Sequence, residues 1–337
     1  MENNTTWQRI YELAAQIYKI KPWEFLGETD IFGVRSPESG KDYFISIMGS
    51  ENILPAVAAY EGSQALYRFW MLENIEKAEG SDVLILQHMI LSFETEEDID
   101  QDQLKRFRSM NNDPVFTNRF PEVRKVIPGL FPGEPDETSL KELVVVLEQS
   151  INVCDRAAAD GSFIEPPEED EELYLVREKH DGEWKDHYNK IEPDIPDYQA
   201  LANKDDIALV SSLPESQAVM QAHAQLLPFP IRQEGKPVYF PFLILLVNKK
   251  SGRVENSTML LAEPDFDTML SKVPGLFLDF IKSLGFKPRA LEVKSDLMFD
   301  MLEESLHTCG IRVLQFKQLP ALAEAVEGIV EAARGKK

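Results

Sequence analysis

The sequence predicts an α+β N-terminal domain over residues 1–160 and an α/β C-terminal domain with a mixed sheet over residues 196–337. Three observations predict it. The first part mixes hairpin signals with amphipathic helices, whereas residues 201–337 alternate apolar strands with helices, as crossover connections require. Between them, Glu165-Pro-Pro-Glu-Glu-Asp-Glu-Glu172 joins prolines, which block regular structure, to carboxylates that repel one another. Residues 161–195 therefore read as an acidic linker and a β-hairpin.

The first helix is announced by Trp7, Ile10, Tyr11, Ala14, Ile17 and Tyr18 at helical spacing. Thr5 and Gln8 have the spacing of a capping box, and Pro22 ends the helix because the residue before a proline avoids helical geometry. Ile31–Ser36 and Tyr43–Met48 read as a hairpin turned by Pro37-Glu-Ser-Gly40. Ile53–Tyr60 adds a strand, and Gly62-Ser63 opens a helix through Leu66, Phe69 and Trp70. Val83–Ile90 reads as a strand, Glu94–Asp100 as an acidic loop and Val123–Ile127 as a weaker strand. A long helix follows, with Ser139 and Glu142 as a second capping box and Leu140, Leu143, Val144, Leu147, Ile151 and Cys154 as its buried stripe. Leu173–Lys179 and Glu183–Asn189 flank Asp181-Gly182, a strong two-residue hairpin signal that does not say which domain owns the hairpin.

In the second part Ile207–Ser211 is expected as a strand and Glu215–Leu227 as a helix. Phe240–Val247 is continuously apolar, as a strand covered on both faces is. Lys250-Ser-Gly252 turns the chain into Val254–Leu261, an antiparallel partner. A helix over Phe266–Leu284, a strand at Ala290–Val293, a helix at Met298–Cys309, a strand at Ile311–Phe316 and a helix at Ala321–Ala333 complete a largely parallel sheet. Pro320 sits where a first-turn proline is tolerated.

Charge and cysteine usage bound the function. Of the net charge of −23, residues 1–200 carry −22 and residues 201–337 carry −1. The first part repels phosphate backbones, so nucleic-acid binding is not expected there and stays open for residues 201–337. Cys154 and Cys309 cannot form a disulfide framework or a four-cysteine zinc site. That usage, an N-terminus without a signal-peptide layout and an apolar run too short to span a bilayer place the chain in the cytosol. The expected partners are proteins, with no membrane association.

Two resemblances follow from the residues. Trp7-x-x-Ile10-Tyr11, Pro22-Trp23, Phe32-Gly33-Val34, Ser46-Ile-Met48-Gly49, Tyr60-Glu-Gly62, Leu66 and Phe69 resemble an uncharacterised group of bacterial proteins. In that group a similar domain of unknown function precedes a second one, and the resemblance implies no activity. The second resemblance is architectural. Two antiparallel strands, a helix, a strand, a helix, a strand and a helix resemble the ribonuclease H-like order of elements, with Leu261–Glu263 as the remnant of a third meander strand. Active members of that fold place carboxylates on the first strand, early in the first helix and just after the next strand, where they hold two divalent ions. By position these places fall at Asn248, at Asp265 or Asp267, and at Asp296. Asn248 is the departure, since an amide cannot bridge two Mg²⁺ ions as a carboxylate does; Glu255 is the nearest substitute.

For the remaining candidates the bland reading outweighs the sharp one. Asp296 sits where a helix cap sits, and Asp265 and Asp267, after Pro264, where first-turn carboxylates favour the helix dipole. His307 and Cys309 are two apart on a helix and cannot face each other, and Cys309 and Cys154 continue apolar stripes as buried thiols. His180 and His187 lie on the two arms of the Asp181-Gly182 hairpin beside Glu178, Glu183 and Asp186, a conceivable carboxylate–imidazole metal patch. His88 and His223 read as packed or surface histidines. Lys249, Lys250, Lys282, Lys287 and Arg289 lack the interleaved aromatics of a single-strand platform.

With no P-loop, dinucleotide fingerprint, nucleophile elbow or paired-histidine zinc helix, the first expectation is a non-catalytic binding or regulatory protein with no cofactor. The alternative is a divalent-metal nuclease or transposase-like enzyme using Glu255, Asp267 and Asp296 with Mg²⁺ or Mn²⁺. A third reading, an enzyme with an unrecognised cleft in residues 1–160, has no acid, base or nucleophile to support it.

Overall fold

The computed structural model describes residues 2–50, 53–73, 82–110, 114–166, 172–194, 197–198 and 202–334. The chain divides into two compact units, each built on one mixed sheet with helices. The first gathers residues 1–78, 86–127 and 132–194, and the second gathers 79–85, 128–131 and 195–337.

The first unit is a seven-stranded sheet in the order β5-β4-β3-β2-β1-β6-β7. Its strands are β1 (Phe32–Arg35), β2 (Asp42–Met48), β3 (Ala56–Glu61), β4 (His88–Glu94), β5 (Phe120–Val126), β6 (Leu173–His180) and β7 (Glu183–Lys190). Neighbours are antiparallel except β1 and β6, which run parallel through Gly33 and Val176. The Asp181-Gly182 hairpin thus belongs to this sheet.

One face carries α1 (Glu2–Ile20), α3 (Gln101–Met110) and α4 (Glu137–Ala159), whose Trp7, Tyr11, Phe107 and Leu147 bury against Val34, Ile45 and Val123. The other carries α2 (Gly62–Glu73), with Leu66 and Phe69 against Phe44 and Tyr60. The period-two alternation of Phe44 and Ile45 sends one ring to each face.

Local chemistry differs from the expected start signals. The first helix begins at Glu2, so Thr5 lies inside it rather than at its cap. The cap of α4 is Asp136, whose Oδ1 accepts from the Ser139 N–H at 2.9 Å; Ser139 is therefore the third helical residue rather than the cap. Val83–Ile90 is not one strand. A 3-10 turn over Asp82–Ile85 precedes β4. After the acidic loop, Asp100 caps the unforeseen α3 through the Asp102 and Gln103 N–H groups.

The second unit holds β8 (Val219–Leu226), β9 (Phe242–Asn248), β10 (Val254–Leu260), β11 (Ala290–Val293) and β12 (Arg312–Gln315) in the order β10-β9-β8-β11-β12. The first three form an antiparallel meander, while β11 and β12 run parallel to β8. The sheet is therefore evenly mixed, not largely parallel. Helices α5 (Lys204–Ser211), α6 (Phe266–Leu270), α7 (Val273–Leu284) and α8 (Asp296–Thr308) supply the core on one face, against Met220, Ala222, Ile244, Leu246, Leu291 and Val293. On the other face α9 (Pro320–Arg334) sets Leu322 against Leu243, Leu245 and Val247.

Two expectations reverse here. Ile207–Ser211 is the end of helix α5, capped by Asn203, whose Oδ1 accepts from the Asp205 N–H at 2.9 Å. Glu215–Leu227 is not a helix. Its core is the central strand β8, held by β9 on one edge and β11 on the other. The third meander strand is β10, so Leu261–Glu263 is no remnant of one. The Phe266–Leu284 helix is broken at Ser271-Lys272, and α7 restarts with Pro274 in its first turn, where no amide donor is needed.

Residues 128–131 reach the second unit's core margin through Gly129. Its φ of +77° suits glycine, its carbonyl accepts from the Phe240 N–H at 2.9 Å, and an added Cβ would lie 2.7 Å from Ala262 Cβ. Phe131 stacks on Phe240 beside it.

Candidate functional site

The alternation of β8 sends Met220, Ala222 and Ala224 to the α7–α8 core and Gln221 to the opposite face. In the parallel pairing of β8 with β11, Gln221 stands opposite Glu292. Both are buried, at 1% and 5% exposure. A carboxylate that deep is stable only when its oxygens are matched. Gln221 Nε2 donates to Glu292 Oε2 at 3.0 Å, and Lys249 Nζ donates to Glu292 Oε1 at 2.6 Å. Gln221 Oε1 in turn accepts from the Leu322 backbone N–H at 3.0 Å, in the first turn of α9. Lys249 follows β9 directly, and its ammonium also stands 5.6 Å from the centre of the Phe316 ring. The centre of the sheet thus carries a closed amide–carboxylate–ammonium chain with its charge cancelled inside it.

The positions singled out by sequence lie around this chain. Asn248 is at the end of the second strand, not the first. Its Oδ1 accepts from the Lys250 and Ser251 N–H groups at 3.1 and 3.2 Å, closing the turn into β10. Asp265 caps α6 by accepting from the Thr268 N–H at 2.7 Å, and Asp267 accepts from the Tyr198 hydroxyl at 2.6 Å. The cap of α8 is Ser295, so Asp296 is its first helical residue, and it accepts from Gln315 Nε2. Glu255 lies on the edge strand β10, 3.5 Å from Arg253. Among the described residues, Glu255, Asp267 and Asp296 are not a group whose oxygens lie within reach of one ion.

The basic residues are largely engaged as well. Lys282 pairs with Asp206 at 2.7 Å and with Asp279, and Lys287 lies 3.9 Å from Glu215. Cys154 and Cys309 are buried, and burial pushes the Cys154 thiol up to about 12 and raises that of Cys309. Burial of both disfavours the thiolate that a nucleophile requires. His88 is buried with its ring Nδ1 2.9 Å from the Leu86 carbonyl, and burial lowers its pKa. His223 meets Gln225, and His307 lies in the last turn of α8.

In the first unit the structure brings Glu178, His180 and His187 together. Arg177 faces α4, where its Nε donates to Gln149 Oε1 at 3.2 Å. Glu178, the next residue, therefore faces the other side of the sheet. His180 shares that face two residues on, and His187 stands opposite Val176, two residues back. Glu178 Oε1 lies 2.8 Å from His180 Nε2 and 3.7 Å from His187 Nε2. The His180 hydrogen bond, against the opposing effect of burial, holds the Glu178 carboxyl below its usual range. Glu183 and Asp186 are not part of this group: Glu183 is exposed opposite His180 beside the turn, and Asp186 pairs with Arg177 and Arg156 on the far face.

Gln221 and Glu292 escape a reading of the sequence that sees Glu215–Leu227 as a helix. The signal that finds them is the strict alternation of Met220, Ala222, Ala224 and Leu226 with Gln221, His223 and Gln225, a half-buried strand pattern. Ala, Gln, Met and Leu are strong helix formers, which hides it.

A family model described as a domain of unknown function, DUF7309, matches residues 7–177, and one described as a domain of unknown function, DUF6930, matches residues 206–330. No curated protein and no solved structure matches the chain.

Proposed function

For a chain that belongs to the DUF7309 family and carries a DUF6930 domain behind it, we propose that the second unit is a ribonuclease H-like module that binds a protein partner and does not cut nucleic acid. The order of strands supports the fold: a three-strand meander, then two crossover strands parallel to the first, with the first strand at the centre and a last helix on the open face.

On that reading the metal-holding carboxylates would belong on β8, early in α6 and just after β11. β8 has no Asp or Glu. Asp267 is taken by Tyr198, and Asp296 by Gln315. The observation that carries the proposal is Glu292. It is the one carboxylate buried in the centre of this sheet among the described residues, and Lys249 and Gln221 occupy both its oxygens. Two-metal hydrolysis needs several carboxylate oxygens free to bridge cations about 3.5–4 Å apart. A tethered ammonium supplies one fixed positive charge, no open coordination position and no activated water. A protein partner suits the surface better than a phosphate backbone, because residues 1–200 carry a net −22 and residues 201–337 only −1.

The test is to incubate the full chain with single-stranded DNA, duplex DNA, RNA and RNA–DNA hybrid in Mg²⁺ and in Mn²⁺. The expected result is no cleavage above the metal-free control, and no binding of labelled duplex at low salt. Metal-dependent cleavage that disappears in Asp267→Asn or Asp296→Asn would overturn the proposal.

A further inference from the structure

We infer that Glu178, His180 and His187 form a binding site for a first-row divalent transition metal, with Zn²⁺ as the ion it fits, on the β6–β7 hairpin of the first unit.

The geometry comes first. One ligand atom from each of the three side chains lies within 4.8 Å of the other two. Ligand bonds of about 2.1 Å at the tetrahedral angle place donors about 3.4 Å apart. The Glu178 oxygen stands 2.8 and 3.7 Å from the two imidazole nitrogens, on either side of that spacing. The histidine rings stand 5.3 Å apart, centre to centre, at 80°. The three donors therefore already stand near the spacing that one tetrahedral ion needs.

A second observation points the same way. His187 Nε2 is enclosed and has no hydrogen-bond partner. A buried polar nitrogen left unmatched is uncommon, and each one asks for an explanation. In the neutral tautomer protonated at Nδ1, this atom carries the lone pair that a metal ion would take.

The support around the ligands is rigid. Asp181 and Gly182 both have positive φ, at 52° and 89°, the geometry of a type I′ turn that fixes the register of the two arms. β6 is tied on its other edge to β1. From β1, Arg35 reaches the second oxygen of Glu178 at 3.4 Å while forking onto Asp42 at 2.8 and 2.9 Å. That contact turns Oε1 toward the histidines, the orienting role that outer partners play around metal ligands.

Donor chemistry selects the ion. Two imidazoles and one carboxylate suit Zn²⁺ and its first-row neighbours, whereas Mg²⁺ and Ca²⁺ favour oxygen alone. His180 and His187 are 48% and 42% exposed, so a fourth position opens to water or to a ligand brought by a partner. The acidity of residues 1–200 raises the local concentration of any cation.

The experiment uses the full chain, stripped with a chelator and titrated with Zn²⁺ by calorimetry and with Co²⁺ by visible absorption. One equivalent should bind, with the intense visible bands of four-coordinate cobalt, and Zn²⁺ should displace it while excess Mg²⁺ does not. Both histidines are half exposed, so His180→Ala and His187→Ala should keep the wild-type circular dichroism and weaken binding at least tenfold. Glu178→Gln should do the same, and His307→Ala, in the second unit, should change nothing. The inference is overturned if no stoichiometric binding occurs, if the hairpin variants bind as wild type does, or if His307→Ala removes the binding.

Discussion

Gln221 and Glu292, 71 residues apart, hydrogen-bond across two parallel strands at 3.0 Å, and Lys249 closes the pair from the end of a third. Parallel pairing makes this possible, because β8 and β11 present residues of equal height on the same face. A buried carboxylate here makes folding and charge neutralisation one problem. Its solution leaves each oxygen of that carboxylate accepting a hydrogen bond, one from Gln221 and one from Lys249.

That arrangement predicts an order of costs. Lys249→Met leaves the Glu292 charge with only the Gln221 amide and should destabilise the second unit by about 1–3 kcal/mol. Glu292→Gln leaves an ammonium that can turn to water and should cost less. The double variant should recover part of the Lys249→Met loss, seen as a non-additive cycle in urea midpoints. Additive losses would mean that the two side chains do not act as a pair.

His88 sets a pH dependence in the first unit. Burial, outweighing the bond to the Leu86 carbonyl, lowers its folded pKa below 6.5. As pH falls through about 6.5 the unfolded chain takes up a proton that the folded chain refuses. The stabilising effect is therefore present above that pH and is lost as pH falls toward the folded value. Stability curves for wild type and His88→Gln should converge as pH drops from 7.5 to 5. Parallel curves would show that the imidazole does not titrate differently in the two states.

Two glycines with similar φ should respond differently. Gly182→Ala, at the open tip of the hairpin, meets no atom within 4 Å and should cost about 1–2 kcal/mol from backbone strain alone. Gly129→Ala adds an overlap with Ala262 Cβ at 2.7 Å and should cost roughly 2–4 kcal/mol. Denaturant unfolding of the full chain, with the transition of each unit followed separately, checks the ranking. Equal losses would mean that the loop at Gly129 yields freely.

No helix among the described residues is long and apolar enough to cross a membrane. The proposed protein-binding role concerns the second unit and the proposed zinc site the first, so their tests are independent.

The sequence by itself determined whatever depends on neighbours a few residues apart. The stripes of α1 and α4, the hairpin at Asp181-Gly182, the turn at Lys250–Gly252 and the apolar strand Phe240–Val247 all rest on local periodicity or on turn chemistry. Tertiary structure decided the cases in which local preference and final environment disagree. Met220–Leu226 is built from helix formers, yet it is a strand because β9 and β11 bond both its edges. Ile207–Val210 is β-branched at both ends, yet it is helical because Asn203 caps it and Val210 buries among α7 and α8. The same limit governed the sites. The sequence set His180 and His187 on opposite arms of one hairpin, but only the register across β6 and β7 puts Glu178 between them, and only the pairing of β8 with β11 joins Gln221 to Glu292. Chemistry that joins distant strands, as Gln221 and Glu292 do, is set by hydrogen bonds between segments that no local spacing relates.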